Sequence, residues 1–354
     1  MQNVSVNQTT TRNAGQSILS FSAGVVGNAI ALCILYWHIV KSKSRNITVF
    51  YILVSGLAWT ELAGLLLISI PVFYCYTLNT TIEGLSKGTC QYVGLIMSFI
   101  GLCAMFILLV MALECWLSIG HPYFHQRHVT KEKVMLVFPV IYTISILFCC
   151  MPLFQFGSYK QYKPGTWCYI GMNPAEDKDK AFSVLYASVM ALVILTIVLC
   201  NISVVLTLAK MYKRARLQNV LSTSMEKTPE QTSISSKSHA DEIDNIILLV
   251  LMTPIFVFCS LPLTVRAYIG AFAPDGNEEK DLVALRFHSI NSIVDPWVFI
   301  IFRTSPFRAL LRRLYNKLIH KKAAASARNT VNVLSYGNNS SVDQPPSSET
   351  GRVT

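Results

Sequence analysis

The sequence predicts an all-α membrane protein: a seven-transmembrane helix bundle with a short amphipathic helix after the seventh span. Three observations carry that expectation. Of 354 residues, 52% are hydrophobic and only 14% are charged, against roughly 25% charged in an ordinary soluble domain. Seven apolar stretches are each long enough to cross a bilayer core of about 30 Å with roughly 20 helical residues. Lys and Arg collect in alternate connections, as they do on the cytoplasmic side of membrane proteins. A soluble helical protein would show a polar face on each helix, and these stretches show almost none. The net charge of +11 therefore reads as cytosolic loops, and no nucleic-acid partner is expected.

Taken in order, residues 1–16 form an extracellular N-terminal tail, with glycosylation sequons at Asn3 and Asn7. No basic segment precedes the first apolar run, so no cleaved signal peptide is expected. The bundle covers 17–303, with spans near 17–40, 47–75, 91–117, 134–156, 181–208, 245–272 and 283–303. Pro71, Pro152, Pro262 and Pro296 fall inside spans, where neighbouring helices can re-satisfy the freed backbone groups. Asn79 starts a third sequon in the first outer loop. Lys41, Lys43 and Arg45 follow the first span, Arg127, Lys131 and Lys133 the third, and Lys210, Lys213, Arg214 and Arg216 the fifth. The opposite connections are mixed or acidic, as at Asp275, Glu278, Glu279 and Asp281. The N-terminus is therefore expected outside and the C-terminus in the cytosol. The Ser-, Thr-, Lys- and Glu-rich stretch 217–240 reads as a mobile cytosolic loop. Residues 304–320 set Phe307, Leu310, Leu311 and Leu314 among arginines, a helix suited to lie on the membrane lipids of the inner leaflet or to stand solvated. Residues 321–354 read as a disordered cytoplasmic tail.

Several chemistries find no support. None of the ten cysteines lies in a CxxC pair, so no metal site or cofactor is expected. No HExxH or GxSxG motif is present, which argues against an enzyme. His121, His125 and His128 suit a wet loop better than a metal. A retinal Schiff base needs a lysine in the seventh span, and none lies between Asp281 and Lys317. An organic-anion transporter would call for inverted repeats and midplane charges; no repeat is visible.

Arg286 is the residue that demands an explanation. A guanidinium inside an apolar span is costly unless paired or hydrated. The seventh span holds no acid before Asp295, and the third none before Glu114 near its inner end. The outer half of the bundle thus offers a cation, and an anion should fill it; Arg matches a carboxylate in a two-pronged fork. The alternatives are an arginine that snorkels outward or pairs with outer-loop acids.

A resemblance then sharpens these readings. Its residues are Gly27-Asn28, Thr89-Cys90-Gln91, Ser118 to Phe124 (SIGHPYF), Gln161 to Cys168 (QYKPGTWC), Cys259-Ser260-Leu261-Pro262, Leu285-Arg286-Phe287 and Asp295 to Phe299 (DPWVF). On these the chain resembles the prostanoid receptors, a family of rhodopsin-like G-protein-coupled receptors of the plasma membrane. The resemblance implies a prostanoid lipid whose carboxylate is held by Arg286, with Tyr76 and Thr166 donating hydroxyls and Trp167 beside them. As bare residues, Tyr76 is an ordinary membrane-interface aromatic and Thr166 an ordinary loop residue. Met97, Phe99, Ile100, Leu185 and Met190 suit the lipid's hydrocarbon, or serve as plain core. Cys90 and Cys168 lie at the outer face, where an oxidising medium favours a disulfide, and the bond would pin the second outer loop as a lid.

The inner face departs from the wider class. Glu114-Cys115-Trp116 stands where most members carry an acid, an arginine and an aromatic residue. These three are expected to face a stimulatory heterotrimeric G protein, with arrestin and receptor kinases as further partners. Glu61 stands where the family usually has Asp; with Asn28 and Asp295 it forms either a sodium- or proton-binding cluster or a structural one. Within the family, Glu114 to Ser118 and Arg266-Ala267-Tyr268 are most similar to members that respond to prostaglandin D2. Ser118 to Phe124 is shared with prostaglandin E2 receptors, and Leu261 to Thr264 with prostacyclin receptors. Lys163 replaces the Cys that these relatives carry before Pro164.

Overall fold

The computed structural model describes residues 5–41, 49–173, 176–221, 233–273 and 275–303. Among them are nine α-helices, α1 (Ser5–Lys41), α2 (Val49–Thr77), α3 (Ile82–Leu85), α4 (Lys87–Gly120), α5 (Pro122–His128), α6 (Lys131–Cys149), α7 (Asp177–Leu221), α8 (Ser233–Phe272) and α9 (Glu278–Arg303). A two-stranded hairpin, β1 (Tyr159–Tyr162) and β2 (Trp167–Ile170), lies between α6 and α7. The seven long helices carry the expected spans, and α3 and α5 are short connections. Residues 1–300 form one compact unit, and of the second unit only Ile301–Arg303, the last turn of α9, is described.

Local signals set several helix ends. Ser86 and Thr130 accept hydrogen bonds from Gly88 N (3.2 Å) and Lys133 N (3.4 Å), capping α4 and α6. Asn277 Oδ1 accepts from Lys280 N at 3.2 Å before α9, and Glu278, Glu279 and Asp281 crowd the first turn, where carboxylates complement the helix dipole. α4 is the central helix: it packs on α2, α6, α7 and both strands. α9 closes the bundle by tying to two neighbours. Asn28 Nδ2 donates to Ser292 O (3.1 Å) and Trp297 Nε1 to Ala23 O (3.2 Å) on α1, while Asn291 Nδ2 donates to Ser260 Oγ (2.9 Å) on α8.

Many large apolar side chains point away from the bundle, among them Trp59, Ile70, Leu147 and Phe258. In water such a surface would aggregate; against lipid tails it is the expected outer face. Six of the seven long helices are long and apolar enough to cross a membrane. α9 falls short of that measure because Arg286, His288, Asn291 and Asp295 interrupt its apolar residues.

The structure adds detail to four of these expectations. α1 begins at Ser5, so the helix runs through most of the stretch 1–16, while its apolar part starts at Gly15. α7 and α8 run to Leu221 and from Ser233, so both reach into the expected loop 217–240; the remainder of that stretch lies outside the described residues. Pro152 is not within a helix. α6 ends at Cys149 and Pro152, which has no N–H to carry the helix on, sits in a 3-10 turn, Met151–Phe154. Finally, the loop carrying Cys168 is a β-hairpin, paired Tyr159 to Ile170 and Tyr162 to Trp167. The amphipathic stretch 304–320, the tail 321–354 and Asn3 lie outside the described residues.

Candidate functional site

The hairpin lies across one end of the bundle. Cys168 on β2 is disulfide-bonded to Cys90 in the first turn of α4, with the Cα atoms 5.4 Å apart. Both sulfurs are buried in a cluster with Val72, Cys75, Ile82 and Val93. The hairpin tip is held to α3 by two hydrogen bonds, Ile82 N donating to Gly165 O (2.9 Å) and Glu83 N to the side-chain Oε1 of Gln161 (2.8 Å). Tyr159 of β1 rests directly on Gly94 of α4, where a Cβ would stand 2.6 Å from the ring, so only glycine lets strand and helix come this close. Lys160 reaches Glu278 of α9 at 2.8 Å.

Beneath this lid lies a cavity of about 290 Å³. Its walls come from α1, α2, α4, α9 and the hairpin, with Phe256 of α8. Ile68, Val72, Met97, Ile100 and Met105 make much of it apolar. The polar groups are few, as in small-molecule sites generally. Arg286, Tyr76, Thr166 and Trp167 all line it, so the structure brings together the four residues that the sequence singled out as ligand contacts. Tyr76 OH shares a 2.9 Å hydrogen bond with Ser17 Oγ of α1, and Thr166 is buried. Of the five hydrocarbon contacts expected, Met97 and Ile100 line the cavity. Phe99 packs instead against Tyr142, Leu185 is exposed on the outside of the bundle, and Met190 is core away from the cavity.

The acids that precede and open α9 are taken by another arginine. Arg266, buried on α8, forks onto Asp275 (Nη1 to Oδ2 2.9 Å, Nη2 to Oδ1 2.8 Å) and donates from Nε to Asp281 Oδ1 at 2.8 Å. Asn173 also donates to Asp281 Oδ2 at 2.9 Å. The Arg266 guanidinium holds the Asp275 carboxyl well below the usual carboxylate range. Asp281 moves the other way. It is sealed from water, and burial pushes it up despite the same arginine. Glu278 is lowered by its hydrogen bond from Lys160. Asp275, Asp281 and Glu278 are thus engaged by other cations, while Glu61 and Asp295 line the same cavity as Arg286. Among the described residues none forms an ion pair with the half-buried Arg286, and the outer-loop pairing considered for it belongs to Arg266.

The floor of the cavity holds Glu61 and Asp295, both almost fully buried, with the two carboxyls facing each other closely enough to share a proton. Asn28, fully buried on α1, spends its amide on Gly24 O (3.0 Å) and Ser292 O. No group of three or more potential metal ligands is found among the described residues.

Residues 10–299 match the 7 transmembrane receptor (rhodopsin family) group. The Prostaglandin D2 receptor of Bos taurus is 44% identical over 315 residues, 83% of this chain and 87% of that protein. The Prostaglandin E2 receptor EP2 subtype of Canis lupus familiaris is 42% identical over 301 residues, 82% of each. Among solved structures, squid rhodopsin superposes with a TM-score of 0.67 at 15% identity, covering 85% of this chain and 83% of that one. The chain belongs to the prostanoid receptor family. It is a rhodopsin-like, multi-pass receptor of the plasma membrane and not an enzyme.

The receptor's remaining expected sites lie outside the cavity. Glu114, Cys115 and Trp116 sit at the end of α4 remote from the disulfide. Glu114 Oε1 is 3.1 Å from His125 Nε2 on α5, Cys115 Sγ is 3.6 Å from Glu114 Oε2, and Trp116 Nε1 donates to Ser203 Oγ on α7 at 3.1 Å. Asn79 is exposed in the turn after α2, at the disulfide end, with φ of 51°. Asn7 lies on α1. Sequence reasoning passed over Arg266 with its two acids, the Ser17–Tyr76 bond and His288. The last was detectable, since a histidine within a span merits the same scrutiny as Arg286.

Proposed function

We propose that this receptor binds prostaglandin D2 and, through the stimulatory heterotrimeric G protein, raises cyclic AMP. One observation supports the ligand class: Arg286 lines a largely apolar cavity and forms no ion pair among the described residues, while Asp275, Asp281 and Glu278 are taken by Arg266 and Lys160. A cation so placed favours a lipid carboxylate, and the two-pronged geometry of guanidinium suits it. Tyr76 and Thr166 add hydroxyls, Trp167 covers the headgroup, and the apolar wall takes the hydrocarbon. The Cys90–Cys168 end faces outside in this reading, with Asn3, Asn7 and Asn79 available to sugar. Glu114, Cys115 and Trp116 face the G protein, with arrestin and receptor kinases acting on the same side. Asn28, Glu61 and Asp295 serve as a buried polar cluster linking α1, α2 and α9.

The choice of prostaglandin D2 rests on the similarity to receptors named for it and on the Glu114-Cys115-Trp116 and Arg266-Ala267-Tyr268 stretches. The second reading is a receptor for prostaglandin E2 or prostacyclin, favoured by the similarity to the EP2 subtype. Prostanoids share the carboxylate and differ in ring oxygens. One buried hydrogen bond is worth roughly 0.5–1.5 kcal/mol, so selectivity should be modest. Cyclic AMP measured over a dose series of each prostanoid decides between them. Prostaglandin D2 is expected to act at the lowest dose. Prostaglandin E2 acting at a dose about tenfold lower would move the assignment, and no response from receptor present at the surface would remove the prostanoid reading.

A further inference from the structure

His288 lies on the wall of the cavity, two residues beyond Arg286, and is buried with 9% of its surface exposed. Residues two apart on an α-helix point about 200° apart, so the imidazole and the guanidinium address different sectors of the cavity. The His288 ring stands against Gly101 of α4: a Cβ at that glycine would lie 2.7 Å from Nε2. Its other neighbour is Tyr169 of the hairpin, edge-on with ring centroids 6.5 Å apart. That tyrosine's hydroxyl is already committed to Tyr186 OH at 2.7 Å. His288 Nδ1 has no hydrogen-bond partner among the described residues. One turn further along the same face, Asn291 gives its amide nitrogen to Ser260 and leaves Oδ1 without a partner. Buried polar atoms in folded proteins are almost always satisfied. His288 and Asn291 both line the cavity, one helical turn apart and each with hydrogen-bonding capacity left over, and so put a polar patch on an otherwise largely apolar wall.

We propose that His288 is a specificity-determining contact, hydrogen-bonding an oxygen of the lipid other than its carboxylate, with Asn291 as the adjacent acceptor. The inference rests on the cavity being the acidic-lipid site. Imidazole offers one donor and one acceptor nitrogen when neutral, so it can serve a ring hydroxyl or a ring ketone. Gly101 is the complementary feature on α4, because a side chain there would push the ring out of register. Arg286 would then fix one end of the ligand, and His288 would read which oxygenated ring or chain follows it.

The test is competition binding on membranes with prostaglandin D2, its methyl ester, and analogues that each lack one ring oxygen or the chain hydroxyl. His288→Leu is expected to weaken prostaglandin D2 about tenfold, the value of a single buried hydrogen bond. It should leave the affinity of one deoxy analogue unchanged. His288→Gln, which keeps a donor and an acceptor, should restore most of the loss. The ratio of acid to ester affinity should stay as in the wild type, since the Arg286 end is untouched. Equal losses for prostaglandin D2 and every deoxy analogue would overturn the role of His288 while leaving the acidic-lipid reading intact. A wild-type receptor, shown at the surface, that prefers neither acid nor ester would overturn that reading and this inference with it. If His288→Leu fails to reach the surface, His288→Gln decides: full affinity with unchanged analogue ranking supports the contact, and a uniform loss across all analogues overturns it.

Discussion

Replacing Arg286 with alanine removes the cation from the cavity and nothing else of comparable charge takes its place. Arg266 is pinned between Asp275 and Asp281, and Lys160 is held at Glu278, so neither can swing in to substitute. A charge-assisted hydrogen bond contributes roughly 1.5–3 kcal/mol, and a guanidinium fork makes two of them to a carboxylate. Because Arg286 is only half-buried, the lower part of that range applies, about 3–4 kcal/mol for the pair. The affinity of an acidic prostanoid for Arg286→Ala should therefore fall by more than about a hundredfold. Competition binding on membranes from cells expressing each form measures it. The methyl ester supplies the control: it should bind the wild type poorly and lose little further in the mutant. Arg286→Lys keeps the charge without the fork and should fall between the two. Equal losses of acid and ester affinity in Arg286→Ala would refute the carboxylate anchor, since the mutation would then be acting through shape alone.

Two further outcomes test the parts that hold the cavity closed. Cys168→Ala should lower both surface expression and ligand binding, because Cys90 then no longer fixes β2 over the cavity; two free thiols found by peptide mapping of active receptor would refute the lid. Asp275→Asn should lower the thermal stability of the detergent-solubilised receptor more than Asp281→Asn, because the fold favours the charged form of Asp275 and disfavours that of Asp281, and Arg266 keeps its fork on Asp275 when Asp281 is neutral. An equal or larger thermal shift for Asp281→Asn would refute that ordering.

The spans were legible because each is a long apolar run, and lipid-facing helices need no alternation with polar residues. Arg286 stood out for the same reason in reverse, one charge in an apolar stretch. Other features were hidden because they depend on partners distant in the sequence. Arg266 reads as a membrane-interface arginine until the turn after α8 brings Asp275 and Asp281 back to it. The hairpin has only four residues per strand, and its alternation is too short to distinguish from a loop. Asn173 and Asp281, more than a hundred positions apart, meet only once the fold is assembled.

α9 carries a consequence for how the chain is made. On insertion scales, an Arg or Asp at the centre of a helix costs about 2.5–3.5 kcal/mol each, and α9 holds Arg286 and Asp295 besides His288 and Asn291. Such a segment partitions poorly as a lone hydrophobic stretch leaving the translocon. It gains its place from helices already in the bilayer, through Asn28, Ala23 and Ser260, which meet it from α1 and α8. The polarity that builds the cavity wall thus makes the last span a late client of the first six. Substitutions that strip this wall of charge ease biogenesis while they abolish recognition, so abundance at the cell surface and affinity for the lipid should move in opposite directions along α9.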